Sequence, residues 1–70
     1  MTFKLLDCVR LQRDIPHRLL KRGMIGTVVE VFERPDEAYE VEFCDDNGAT
    51  IAQLALQPSD IMLEKAHKPG

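Results

Sequence analysis

The chain has no apolar run approaching the roughly 20 residues that a membrane-spanning helix needs. Its first segment, Met1-Thr-Phe-Lys-Leu-Leu-Asp7, carries Lys4 and Asp7 where a secretion signal would have an unbroken apolar stretch. A cytoplasmic protein that does not enter a membrane is the expectation. Cysteine is scarce: Cys8 and Cys44 stand far apart with no Cys-x-x-Cys spacing, and are read as reduced, buried thiols rather than a disulfide or a metal pair. Histidine is equally sparse, with His17 in a loop and His67 near the end, and no Ser/His/Asp or Cys/His arrangement brings a base to a nucleophile. The run Asp45-Asp46-Asn47 lacks the spaced ligands and distal glutamate of a calcium loop. The chain is therefore read as a non-enzyme without metal or cofactor. Seventy residues make one small domain, with little room for a buried active site.

What is present is strand signal. In Tyr39-Glu-Val-Glu-Phe43 the alternation is strict, with Tyr39, Val41 and Phe43 on one side and Glu40 and Glu42 on the other, the period of a half-buried strand. The β-branched run over 27–32 is its antiparallel partner across a loop at 33–38 that contains Arg34-Pro35-Asp36. Asn47-Gly48 supplies a two-residue turn into a strand over 49–56, in which Thr50, Ala52, Leu54 and Leu56 are assigned to the inner side. A first strand is expected over 5–11 with Val9 and Leu11 inward and Leu6 or Cys8 partly covered, and a short closing strand over 61–64.

Between the first two strands, residues 12–22 have no clean period, and Pro16 opposes a strand through their middle. They form a long excursion, with Ile15, Leu19 and Leu20 folding back onto the core and one helical turn starting at Pro16. Gly23 and Gly26 meet a conformational need, either positive φ or close approach of a crossing strand. Pro58-Ser59-Asp60 punctuates the chain, with Ser59 or Asp60 capping a single 3₁₀ turn. Phe3, Phe32, Tyr39 and Phe43 are read as core. Together these describe an all-β fold: a small five-stranded SH3-like barrel over residues 1–64, with a long first loop, a short 3₁₀ turn before the last strand, and a disordered polar tail over 65–70.

Charge divides the chain. Residues 1–26 hold six bases against Asp7 and Asp14, a net of +4, whereas residues 27–64 hold ten acids against Arg34 alone, a net of −9. The acidic surface comprises Glu30, Glu40 and Glu42 on the strands, with Glu33, Asp36 and Glu37 at the hairpin tip. Like charges on adjacent strands repel, and a basic partner protein relieves that repulsion. The basic cluster Arg10, Arg13, Arg18, Lys21 and Arg22, with His17, is the candidate polyanion site, although no exposed aromatic accompanies it to stack a base. The chain is expected as a monomer or as a weak homodimer formed by edge-strand pairing, a mode that also serves a different partner.

The segments Leu6-Asp-Cys-Val-Arg-Leu11, Leu20-Lys-Arg-Gly-Met-Ile-Gly-Thr-Val-Val29, Tyr39-Glu-Val-Glu-Phe43 and Asp46-Asn-Gly48 resemble a family of small stand-alone bacterial proteins known as a domain of unknown function, over about residues 5 to 64. The resemblance implies an SH3-like barrel and, because some members are encoded near toxin loci, a neutralising role toward a partner protein. The stretch Lys21-Arg-Gly-Met-Ile-Gly-Thr-Val28 is also similar to the KOW element of ribosomal and transcription-elongation proteins and to the barrel of nitrile hydratase β subunits. These likenesses imply two alternatives: a nucleic-acid-binding module using the loop from Arg10 to Arg22, and an accessory subunit of a metalloenzyme. The primary expectation is a protein-interaction module of antitoxin or immunity type whose acidic face binds a basic toxin or enzyme subunit.

Overall fold

The computed structural model describes residues 2–64. The expected tail over 65–70 lies outside the described residues. Five strands form where β-branched and aromatic side chains alternate with polar ones: β1 (Cys8–Leu11), β2 (Ile25–Phe32), β3 (Ala38–Cys44), β4 (Thr50–Leu56) and β5 (Ile61–Leu63). Two 3₁₀ turns, Pro16–Arg18 and Pro58–Asp60, each begin on a proline, whose fixed φ suits the first helical position. No helix among the described residues is long and apolar enough to cross a membrane.

All neighbouring strands are antiparallel, in the order β4-β3-β2-β1-β5, and the sheet is open between β4 and β5. The all-β fold, the long first loop and the 3₁₀ turn before the last strand agree with the sequence reading. Tyr39, Val41 and Phe43 are fully buried together with Val9, Leu11 and Val28. Ile15 and Leu20 return from the first loop, pinned by an isolated bridge between them, and complete the core with Phe3, Ala52, Leu56 and Ile61.

Gly26 sits where β2 crosses this core. A Cβ there would lie 2.6 Å from Val41 Cγ1, 2.9 Å from Phe43 Cε1 and 3.0 Å from the Glu42 carbonyl oxygen, so the site admits only hydrogen. Gly23 meets the other need, with φ at +95°.

Two β-bulges decide which side chains face out. Between Val28 and Glu30 the register with β3 shifts by one residue, so Val28 lies opposite Val41 and Glu30 opposite Glu40. The phase of β2 therefore reverses after Val29: Val31 packs against the core and Phe32, expected inside, is exposed. A second shift between Phe43 and Cys44 leaves Ile51 as the extra residue on β4, which turns Thr50 outward instead of inward. Beyond it Ala52, Leu54 and Leu56 keep the expected inner side.

Other departures are local. The first strand starts at Cys8 rather than residue 5, because Lys4 and Asp7 close a turn: the Lys4 N–H donates to the Asp7 carboxylate and the Asp7 N–H to the Lys4 carbonyl. Leu6 sits in that turn with φ at 71° and is exposed, as is Cys8. Both cysteines are free and exposed, not buried as expected; Cys8 lies on β1 and Cys44 at the end of β3, with β2 between them. Leu19, at the end of the first 3₁₀ turn, has φ at 60° and points to solvent, while Leu20 takes the inward place. The β3–β4 connection is longer than a two-residue turn. Asp45 N–H donates to the Ala49 carbonyl, Gly48 N–H to the Asp45 carbonyl, and only Gly48 has positive φ, the form of a three-residue loop with a glycine bulge.

Tyr39 also anchors the chain's first described residues. Its hydroxyl accepts the N–H groups of Thr2 and Phe3 and donates to the Glu37 carboxylate, while the Phe3 ring packs edge-on to it at 5.1 Å.

Candidate functional site

The outward face of β2 and β3 gathers carboxylates because the inward face must be apolar. Burial of Tyr39, Val41 and Phe43 forces Glu40 and Glu42 to the other side. The bulge at Val29 then sets Glu30 directly across from Glu40, at the separation where cross-strand side chains interact and like charges repel. Without that one-residue shift Val29 would stand opposite Glu40. The surrounding groups soften the charge without neutralising it. Thr50 Oγ1 donates to Glu42 at 2.6 Å and Gln53 Nε2 to Glu40 at 3.2 Å. Neither ion pair found among the described residues involves Glu30, Glu40 or Glu42.

At the hairpin between β2 and β3, Glu33 and Asp36 are exposed on either side of a cis Arg34–Pro35 bond. Glu37 differs from them. It accepts the Tyr39 hydroxyl and then the Thr2 N–H, and these bonds hold its carboxyl below the usual range. Its place is a structural latch, apart from the strand glutamates.

The basic residues are distributed otherwise. Arg10 makes a two-pronged pair with Glu64, Nε to Oε1 at 2.8 Å and a terminal nitrogen to Oε2 at 2.9 Å. Arg13 donates from Nε to Asp60 at 2.7 Å, and its pKa is raised by that bond. Burial alone pushes Asp60 up, but the Arg13 guanidinium and the Gln57 N–H outweigh it and its pKa falls below the ordinary value. The Gln57 bond is half of a capping box on the second 3₁₀ turn. Arg18 reaches across to the main-chain carbonyl of Gln53 on β4, at 3.1 Å. His17 is exposed in the first 3₁₀ turn.

Two shallow grooves border this loop, one of about 340 Å³ lined by Arg10, Arg22 and Met62 among others, and one of about 560 Å³ that includes Leu19 and Lys21. Neither has an aromatic side chain in its lining. Three of the five basic residues are thus engaged inside the molecule, and Lys21 and Arg22 form no ion pair among the described residues. No three His, Cys, Asp or Glu side chains among the described residues converge as metal ligands.

The family described as Domain of unknown function (DUF4926) matches residues 5–63. The chain belongs to DUF4926. The matched span includes all five strands, both 3₁₀ turns, the glutamates of the sheet face and the whole basic loop. No curated protein and no solved structure matches the chain.

Two features of this arrangement escaped sequence reasoning. The engagement of Arg10 and Arg13 by Glu64 and Asp60 joins residues about fifty positions apart, and only the β1–β5 register brings them together. The edge position of β4, and the arginine held against it, follow from strand order rather than composition. The available signal was the absence of any charged residue from Thr50 to Leu56.

Proposed function

We propose that this DUF4926 chain is a non-enzymatic protein-interaction module that binds a basic partner through its acidic sheet face. An antitoxin or immunity-type role in the cytoplasm is the sharpest form of the reading, since proteins that act on nucleic acids present cationic surfaces. The observation that carries it is the Glu30–Glu40 pair beside Glu42, set on adjacent strands and in no ion pair among the described residues. The strand order, with β5 returning to β1 after a 3₁₀ turn, supports an SH3-like barrel as the scaffold.

Nucleic-acid binding through residues 10–22 draws less support. Arg10 and Arg13 would have to abandon carboxylates to meet phosphates, and no aromatic lines the adjoining grooves. The test is capture of partners on the immobilised protein, with nuclease and at two salt concentrations. The reading requires a basic protein partner that survives nuclease and is lost in the double variant Glu40→Lys/Glu42→Lys, but is retained by Lys21→Ala/Arg22→Ala. The reverse pattern overturns it.

A further inference from the structure

The ladder between β3 and β4 fixes which main-chain groups of β4 are free. Along an antiparallel pair, residues alternate between bonding their neighbour and pointing away from it. Gln53, opposite Glu42, turns its carbonyl away from β3, since that oxygen accepts Arg18. By the same alternation Leu54 and Leu56 bond β3, and the N–H and C=O of Ala55 point outward with those of Gln53. Among the described residues no strand lies beyond β4. Native sheets blunt such edges with charges, proline or bulges. Here the bulge at Ile51 interrupts only the hairpin end, and the strand itself has neither a charge nor a proline. At its centre the guard is Arg18, on a different element, holding one carbonyl.

We infer that the partner enters as an extended basic segment paired to the β4 edge, with Arg18 as a removable guard on that edge. This rests on the acidic-face reading and specifies how the face is used. A strand added outside β4 lies two strand spacings, about 10 Å, from β3. Between them on the outer face stand Gln53, opposite Glu42, and Ala55, opposite Glu40. Ala55 is too short to cover Glu40, so a lysine or arginine on the added strand reaches over it to that carboxylate. Main-chain bonds to Gln53 and Ala55 supply register, and Glu40 and Glu42 select positive charge. A second copy of this chain is a poorer occupant, because its own β4 has no cation to offer and is paired to a β3 that carries further glutamates.

The probe is a nine-residue peptide of alternating lysine and valine, titrated into the full chain by NMR, alongside the same peptide N-methylated at alternate residues so that one edge cannot pair. The expected result has three parts. The plain peptide binds and slows amide exchange at Gln53 and Ala55 at least tenfold, the N-methylated peptide fails to bind, and Arg18→Ala tightens binding about fivefold, the scale of one competing hydrogen bond removed. Equal binding of both peptides without protection of those amides overturns the strand inference, and if that binding is lost in Glu40→Lys/Glu42→Lys the acidic-face reading survives. Amide protection that persists in Glu40→Lys/Glu42→Lys retains the strand and overturns the charge selection. Weaker binding in Arg18→Ala overturns the guard. Self-association of Arg18→Ala, seen by sedimentation with protected Gln53 and Ala55 amides and no peptide, replaces the basic segment by a second copy.

Discussion

On the β2–β3–β4 meander, the strand glutamates form no ion pair among the described residues, whereas along residues 10–22 three arginines reach across the molecule to Glu64, Asp60 and the Gln53 carbonyl. The segments carry charge of opposite sign, yet among the described residues Arg10 and Arg13 are held in ion pairs while the strand glutamates are in none. The reason is topological. The acidic residues face out from a sheet whose inner side is core, and neither ion pair among the described residues includes them. Arg10 and Arg13 sit beside β5 and the 3₁₀ turn before it, where Glu64 and Asp60 lie within bonding distance. Segment charge in a sequence counts residues, but binding depends on what the fold has left unpaired.

The hardest way to break this contrast is to remove the platform under the glutamates. Phe43→Ala should cost about 3–5 kcal/mol, as for other buried phenylalanines, close to all the stability of so small a domain; urea unfolding followed by far-ultraviolet circular dichroism should show little folded protein. Gly26→Val is next, because its side chain would strike Val41, Phe43 and a backbone oxygen, with a loss of about 1–3 kcal/mol typical of overpacking. Neither variant changes a charge, so each separates fold from electrostatics.

Asp60 tests the basic side. Asp60→Ala strands the Gln57 N–H and frees Arg13, for an expected loss of about 1–2 kcal/mol in the urea midpoint analysis. Its pH dependence has a definite sign. A carboxyl whose folded pKa lies below the unfolded value stabilises above that value, and the contribution disappears as pH falls through the folded pKa. Asp60 and Glu37 both follow this rule. Stability should therefore drop below about pH 4, the ordinary aspartate and glutamate range, and Asp60→Asn should flatten that drop. The smallest effect belongs to the acidic face itself. Glu30→Gln relieves the cross-strand repulsion and should raise stability by about a few tenths of a kcal/mol, an increment that 1 M salt erases. A loss of stability instead would mean that the Glu30–Glu40 pair carries no repulsion.

Much of the fold was legible because period-two alternation survives in β3 and proline marks both 3₁₀ turns. Gly26 was legible as a close approach, and Val9, Leu11, Ile15 and Leu20 as core. What escaped notice came from single-residue events. A bulge has no composition of its own, yet the shift at Val29 exchanged Phe32 for Val31 in the core and the shift at Ile51 turned Thr50 outward. Leu6 and Leu19 adopt positive φ without being glycine, so their exposure ran against their hydrophobicity. The three glutamates of the site were readable from strand pattern alone. The ion pairs within the arginine cluster were not, since Arg10–Glu64 and Arg13–Asp60 depend on register between distant parts of the chain.

Tyr39 gives the protein a built-in optical probe. The chain contains one tyrosine and no tryptophan, and that tyrosine is wholly buried against the Phe3 ring with its hydroxyl tied to Glu37 and to the Thr2 and Phe3 amides. A fixed, asymmetric aromatic environment produces near-ultraviolet dichroism that vanishes when packing is lost. Detachment of the N-terminal residues can thus be followed separately from melting of the sheet, by comparing that single band with the far-ultraviolet signal in one unlabelled sample.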